Sequence, residues 1–201
     1  MCNCSPLLNA IDAYIAKKDN DLTGQLKRAG FVKPQQMVRD IGRLEDGIQG
    51  ILQDEIDYYA EEIRRAGDIQ SFNAPKVKEK DDTKSKLNGL FYAVFGGHML
   101  TYSNAYMKTV EPDLTVDRLS QRTLNWTERW SDHLSSIMQD TSINEVDRIL
   151  AAGMHDNKNI HEVIADLMDS GAINSYYRAR QTAVTEMLRV SSYASNESMM
   201  Q

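Results

Sequence analysis

His161-Glu162-Val163-Ile164-Ala165 is the stretch whose residue types come nearest to a catalytic motif. A His-Glu-x-x-His helix sets two imidazoles on one face for a zinc ion and supplies a glutamate as general base. Ala165 stands where the second histidine must be, and the motif needs both ligands. A carboxylate-bridged di-iron bundle needs Glu-x-x-His pairs, but the residues three before His98, His133, His155 and His161 are Phe95, Trp130, Ala152 and Lys158. None is acidic, so the four histidines are expected at the surface or partly buried rather than on a metal. The chain has no Gly-x-Ser-x-Gly turn, and spacing singles out no Ser–His or Cys–His pair. Glu61-Glu62 and Asp81-Asp82 are adjacent, so on a helix they point about 100° apart and read as solubilising charge. Gly96-Gly97 has no preceding strand and no following Gly-Lys-Ser/Thr, which favours a helix kink or a tight crossing over a phosphate loop. The expectation is a non-enzymatic protein without metal or cofactor.

The elements that would carry these residues are helical. In 201 residues no stretch shows convincing period-two alternation, and no unit of fixed length repeats. Residues 5 to 18 place Leu7, Leu8, Ile11, Tyr14 and Ile15 at helical spacing behind Ser5 and Pro6. A second helical segment covers Asp21 to Ala29 and stops at Gly30. From Pro34 to Ala66, Met37, Ile41, Leu44, Ile48, Ile51 or Leu52, Ile56, Tyr59 and Ile63 keep a helical period, which predicts one helix on the order of 48 Å long. Gly42, Gly47 and Gly50 weaken it or mark close helix contacts.

Residues 67–86 read as a charged linker, because Pro75 and the run from Lys76 to Asp82 offer almost nothing to bury. The organisation that follows is an N-terminal helical region, 1–66, the linker, and a helical domain, 87–201. Leu87, Leu90, Phe91, Val94, Phe95, Tyr102 and Tyr106 begin that domain with a long helix ending before Pro112. Thr115 caps the next, whose stripe is Leu119, Thr123, Trp126, Trp130, Leu134, Ile137 and Met138, with the tryptophans as core anchors. Ile143, Val146, Ile149 and Leu150 mark a further helix that Gly153 ends. Asn159 and Glu162 then form a variant capping box for a helix marked by Ile160, Val163, Ile164, Leu167 and Met168. That helix carries Glu162, Asp166 and Asp169 and no cation after Lys158, so it packs against protein rather than reading DNA.

The last predicted helix sets Tyr176, Ala179, Ala183, Met187, Val190 and Ala194 along one apolar stripe. Arg178, Thr182, Thr185 and Arg189 fall together on the opposite side, with Glu186 on its edge. The fold class is mainly α: an elongated multi-helix protein with long amphipathic helices and a C-terminal helical head.

A formal charge of −6 argues against wrapping nucleic acid, which needs clustered cations. Cys2 and Cys4 are too close together to staple a fold and indicate free thiols in a reducing compartment. No apolar run of about 18 residues and no leader pattern occurs, so neither membrane spanning nor export is expected.

From about Thr115 to Met199 the chain resembles the phage minor head proteins of the Mu F-like head morphogenesis family. The resemblance rests on Gly153, on Asn159-Ile160-His161-Glu162, and on Arg178-Ala179 running into Ala183-Val184-Thr185-Glu186. Thr182 replaces a usual apolar residue and Val184 a usual arginine. The resemblance implies a virion component at the head and portal vertex, present in the host cytoplasm during assembly. It would bind the portal protein and other head subunits and act in head assembly or genome delivery. Contact with packaged DNA is not supported by the net charge. A helical adaptor unrelated to virions, docking through the Pro34 to Ala66 helix, is the alternative. Arg178, Ala179, Ala183, Thr185 and Glu186 are the family-motif residues, and Arg178, Thr182, Thr185 and Arg189 form the candidate contact surface. Family members commonly continue past this motif, so the chain is expected to be a short member or truncated after Gln201.

Overall fold

A computed structural model describes residues 21–72, 77 and 82–200. The predicted helix at residues 5 to 18 lies outside them. The described residues are mainly α, with four long helices and no strand: α1 (Pro34–Ala66), α2 (Thr83–Val110), α3 (Gln121–His155) and α4 (Ile160–Met200). A shorter helical stretch, 21–28, precedes α1. It ends as predicted at Gly30, whose φ of 81° admits the closing bonds Gly30 N–H to Lys27 O and Phe31 N–H to Leu26 O.

α1 starts at Pro34, where the missing N–H leaves no bond unmade. The predicted stripe is its buried face: Met37, Ile41, Leu44, Ile48, Leu52, Ile56, Tyr59 and Ile63 are all buried, with Leu52 rather than Ile51 in phase. Full burial of each such side chain contributes about 1.5–3 kcal/mol. Gly67, at φ 79°, follows its last turn.

Three helices depart from the expected bounds. α2 begins at Thr83, inside the range read as linker, and Val77 of that range is buried too. α3 begins at Gln121 and is capped by Ser120, whose Oγ accepts from Thr123 N–H at 3.3 Å, while Thr115 is exposed and bonds Asp117. α3 then runs through Gly153 to His155. Gly153 is a packing position rather than a terminator, since a β-carbon there would collide with Val163 Cγ2. The actual stop is Asn157, at φ 54°, with Asn157 N–H on Met154 O and Lys158 N–H on Gly153 O.

The two helices expected after Asn159 are one, α4, of 41 residues. Its capping box forms as read: Asn159 Oδ1 accepts from His161 and Glu162 N–H at 3.0 and 3.1 Å, and Glu162 Oε2 accepts from Asn159 N–H at 2.8 Å. Gly171 sits inside α4 because a β-carbon there would meet three side-chain atoms of Ile56 at 2.5–3.0 Å.

The described residues group into two units, and every long helix supplies a segment to each. Unit 1 holds 21–46, Phe91–Glu128 and 180–200. Its buried apolar residues include Met37, Leu44, Phe91, Phe95, Met187 and Val190. Unit 2 holds the described part of Gly47–Leu90 with Arg129–Ala179, around Ile56, Tyr59, Ile63, Val77, Val146, Ile149, Val163 and Leu167. Gly47 marks a close contact as anticipated, since a β-carbon there would lie 2.8 Å from Leu90 Cδ2. Gly42, Gly50, Gly96 and Gly97 face open space, so the Gly96-Gly97 pair is not a tight crossing.

The buried phase of α3 differs from the predicted stripe. Thr123, Leu134 and Met138 are buried, but Trp126 and Trp130 are half-buried and Ile137 is exposed. Thr127, Ser131 and Ser135 occupy the interior instead. Small hydroxyls tolerate burial on a helix because they can bond carbonyls one turn back, as Thr127 Oγ1 does to Thr123 O at 2.9 Å. Trp126 is held beside that face by stacking on Tyr193, with ring centroids 4.0 Å apart.

Candidate functional site

The arrangement with most chemistry in unit 1 joins residues 58 and 93 positions apart. His98 Nδ1 lies 2.9 Å from Asp40 Oδ2, and its Nε2 lies 2.8 Å from Ser191 Oγ. These come from α2, α1 and α4. Asp40 also accepts from Gln36 Nε2 at 2.7 Å. The imidazole stacks on Tyr102 with centroids 3.8 Å apart, and Tyr102 O–H donates to Lys33 O at 2.9 Å.

Charge follows this geometry. Burial lowers the His98 pKa and outweighs the hydrogen bond and charge of Asp40, so the ring is held neutral. Burial would raise Asp40, but the bonds from His98 and Gln36 and the nearby Arg43 guanidinium hold it below the usual carboxylate range. Burial, aided by the Asp40 charge, raises the Tyr102 phenol. A carboxylate bound to Nδ1–H fixes the tautomer, leaving Nε2 to accept from the Ser191 hydroxyl.

Asp–His–Ser in that order is the layout of a general-base-activated nucleophile. Ser191 has no exposed surface, so a substrate does not reach its oxygen. It also sits inside α4, where the neighbouring N–H groups are taken up by helix bonds and cannot form an oxyanion hole. The three residues therefore brace three helices through one polar chain.

Two further buried networks tie unit 1. Glu197 accepts from Ser120 N–H at 2.6 Å, Ser120 Oγ at 2.8 Å and Thr123 Oγ1 at 2.5 Å, which places a carboxylate on the N-terminus of α3. Arg180 donates to Glu45 at 2.7 Å.

Unit 2 holds one motif residue in a polar environment. Arg178 donates from Nη1 to Ser142 Oγ at 3.0 Å and from Nη2 to Met138 O at 2.5 Å, both on α3. Burial lowers its pKa, opposed by the Glu55 and Glu145 carboxylates. Glu145, bound by Arg148 and by Ser170 Oγ at 2.8 Å, is pulled down to about 2, chiefly by Arg148.

The other predicted residues divide by face. Ala179 and Ala183 have no exposed surface, and the stripe from Tyr176 to Ala194 is buried throughout. Thr182 is half-buried and Thr185 exposed. Glu186 is buried and pairs with half-exposed Arg189 at 3.0 Å, the i,i+3 contact that spacing suggests. Of the histidines, His133, His155 and His161 are exposed, and His98 is the buried exception. Among the described residues no group of three or more His, Cys, Asp or Glu is placed to hold a metal. None of their helices is long and apolar enough to cross a membrane.

Comparison with known proteins finds a relationship in sequence. The chain is 27% identical over 156 residues to the uncharacterized protein YqbB of Bacillus subtilis (strain 168). That alignment covers 78% of this chain and 49% of YqbB, so the chain spans about half the length of that relative. No family model and no solved structure matches the chain.

Proposed function

We propose that this chain is a minor structural protein of a tailed-phage head, which binds the portal region and acts in head assembly or genome delivery. The observation that carries this reading is the ordered C-terminal series. An Asn159/Glu162 capping box opens α4, and the segment from Arg178 to Glu186 follows with Ala179 and Ala183 on its buried face. These are the positions on which the resemblance to the head morphogenesis family rests. The motif works as a packing signature: its alanines allow close approach, Arg178 is tied to α3, Glu186 pairs with Arg189 of the same helix, and Thr185 is exposed.

Thr182, Thr185 and Arg189, on the polar side of α4 in unit 1, are the proposed contact surface for the portal or another head subunit. Arg178 stood with them in the sequence, but its guanidinium is engaged with α3. The alternative, a helical adaptor outside virions, needs α1 to offer an unpartnered seam. The stripe from Met37 to Ile63 is buried within the chain itself, which favours the first reading.

Size-exclusion chromatography of the purified chain with the portal protein encoded beside it tests the reading. Co-migration is expected, weakened by Thr185→Arg and Arg189→Glu. Separate elution across micromolar concentrations would count against it.

A further inference from the structure

The groove between α1 and α2 in unit 1 has a volume of about 380 Å³ and is lined in part by Gln36, Asp40, Arg43, Gly97, His98 and Thr101. Gly97 borders open space, since a β-carbon there would meet nothing within 4 Å. Along this path exposure falls from 13% at the Asp40 side chain to 1% at that of His98, and Ser191 lies beyond with none. The carboxylate therefore lies nearest solvent, the imidazole bonded to it deeper, and the hydroxyl of α4 deepest.

We propose that Asp40, His98 and Ser191 form a proton-sensitive clasp, in which the neutral imidazole ties α1 to the α4 segment of unit 1 and protonation of that imidazole loosens the tie. The bonding sequence gives the reason. With Nδ1–H donated to Asp40, Nε2 accepts from Ser191 O–H. A proton added at Nε2 turns that nitrogen into a donor, and the hydroxyl hydrogen must leave it. It must turn to Met37 Sδ at 3.7 Å, a weak acceptor, or to a backbone carbonyl one turn back on α4. The new cation is enclosed as well, with the Tyr102 ring stacked on it.

The groups facing His98 offset this enclosure only in part. α1 presents Asp40, whose charge Gln36 and Arg43 already share, and Arg39, which acts on Tyr102. α2 presents the phenols of Tyr102 and Tyr106, both raised by burial and so uncharged near neutrality. α4 presents the Ser191 hydroxyl, and α3 enters this layer through Thr127, whose Oγ1 lies 3.6 Å from Met99 Sδ.

The other three histidines, His133, His155 and His161, belong to unit 2. His98 is thus the unit 1 side chain whose ordinary range falls between about pH 5.5 and 7.5. Two measurements on the full chain test the clasp: the imidazole carbon shifts of His98 from pH 8 to 5, and amide exchange corrected for its intrinsic pH dependence. Expected are a ring midpoint below about 6.5 and exchange in residues 182–199 that rises about tenfold from pH 7.5 to 5.0 relative to residues 142–155. His98→Gln keeps a donor for Asp40 and an acceptor for Ser191 without a titration, and it should abolish the rise. A midpoint at or above 6.5, no rise, or an equal rise in His98→Gln would overturn the proposal. Should that variant not fold, the two wild-type readings decide by themselves.

Discussion

Arg180 Nη1 lies 2.7 Å from Glu45 Oε2, with the side chains only 16% and 10% exposed, so this ion pair between α4 and α1 is held largely away from water. Replacing Arg180 with Met leaves the Glu45 carboxylate buried without its cation, a change that costs about 3 kcal/mol. Replacing both with Met removes the buried carboxylate as well and should restore most of that loss. Urea unfolding of the two single variants and the double variant measures the difference. A loss well below 1 kcal/mol in Arg180→Met would mean that solvent reaches the carboxylate.

Two glycines inside helices should respond to alanine in opposite directions. Gly50 is exposed on α1 with nothing near a β-carbon, so Gly50→Ala should stabilise by up to about 1 kcal/mol through helix propensity. In Gly171→Ala the new carbon meets Ile56 Cδ1, Cγ1 and Cγ2 at 2.5, 2.9 and 3.0 Å. That branched side chain cannot step aside at its tip alone, so the overpacking should cost about 1–3 kcal/mol. Thermal melts of both variants decide, and stabilisation by Gly171→Ala would refute the packing described.

Asn159→Ala removes the oxygen that accepts from His161 and Glu162 N–H, and should cost about 1 kcal/mol. The loss should be concentrated in the first turn of α4. Amide exchange at residues 160–163 is the check: it should rise with little change at residues 183–194.

Acid should weaken unit 2 through Glu145. Its pKa is depressed to about 2, chiefly by Arg148, so the stabilisation is full above the unfolded value of 4.5 and is lost as pH falls toward 2. Arg148 is largely exposed, which reduces the contribution to about 1 kcal/mol after screening. Glu145→Gln should flatten the stability profile below pH 4.5 and leave it unchanged above pH 6 apart from a uniform offset. For His98 the depressed value sets a higher window: its contribution is present above 6.5 and fades as pH drops through its folded value.

The apolar stripes of α1 and of the second half of α4 were legible because their apolar residues recur at a helical period, from Met37 to Ile63 and from Tyr176 to Ala194, although Glu45, Glu55, Glu186 and Ser191 are buried beside them. Helix ends set by capping chemistry were legible too, at Gly30 and Asn159. Gly153 misled for a physical reason, and Gly171 carried no reading at all. Whether a glycine stops a helix or admits a neighbour depends on Val163 or Ile56, which the local sequence does not reveal. The interior of α3 was hidden because Thr127, Ser131 and Ser135 resemble a solvent face until a partner helix covers them. Asp40, His98 and Ser191 lie on three different helices, and only the packing of unit 1 joins them.

The central claim is that this chain is a minor component of a tailed-phage head, and composition of the particles tests it most directly. Quantitative mass spectrometry of purified proheads and virions from a phage encoding the chain should find it in few copies per particle, in constant ratio to the portal protein. Its absence from both kinds of particle, with no co-migration with the portal, would contradict the account.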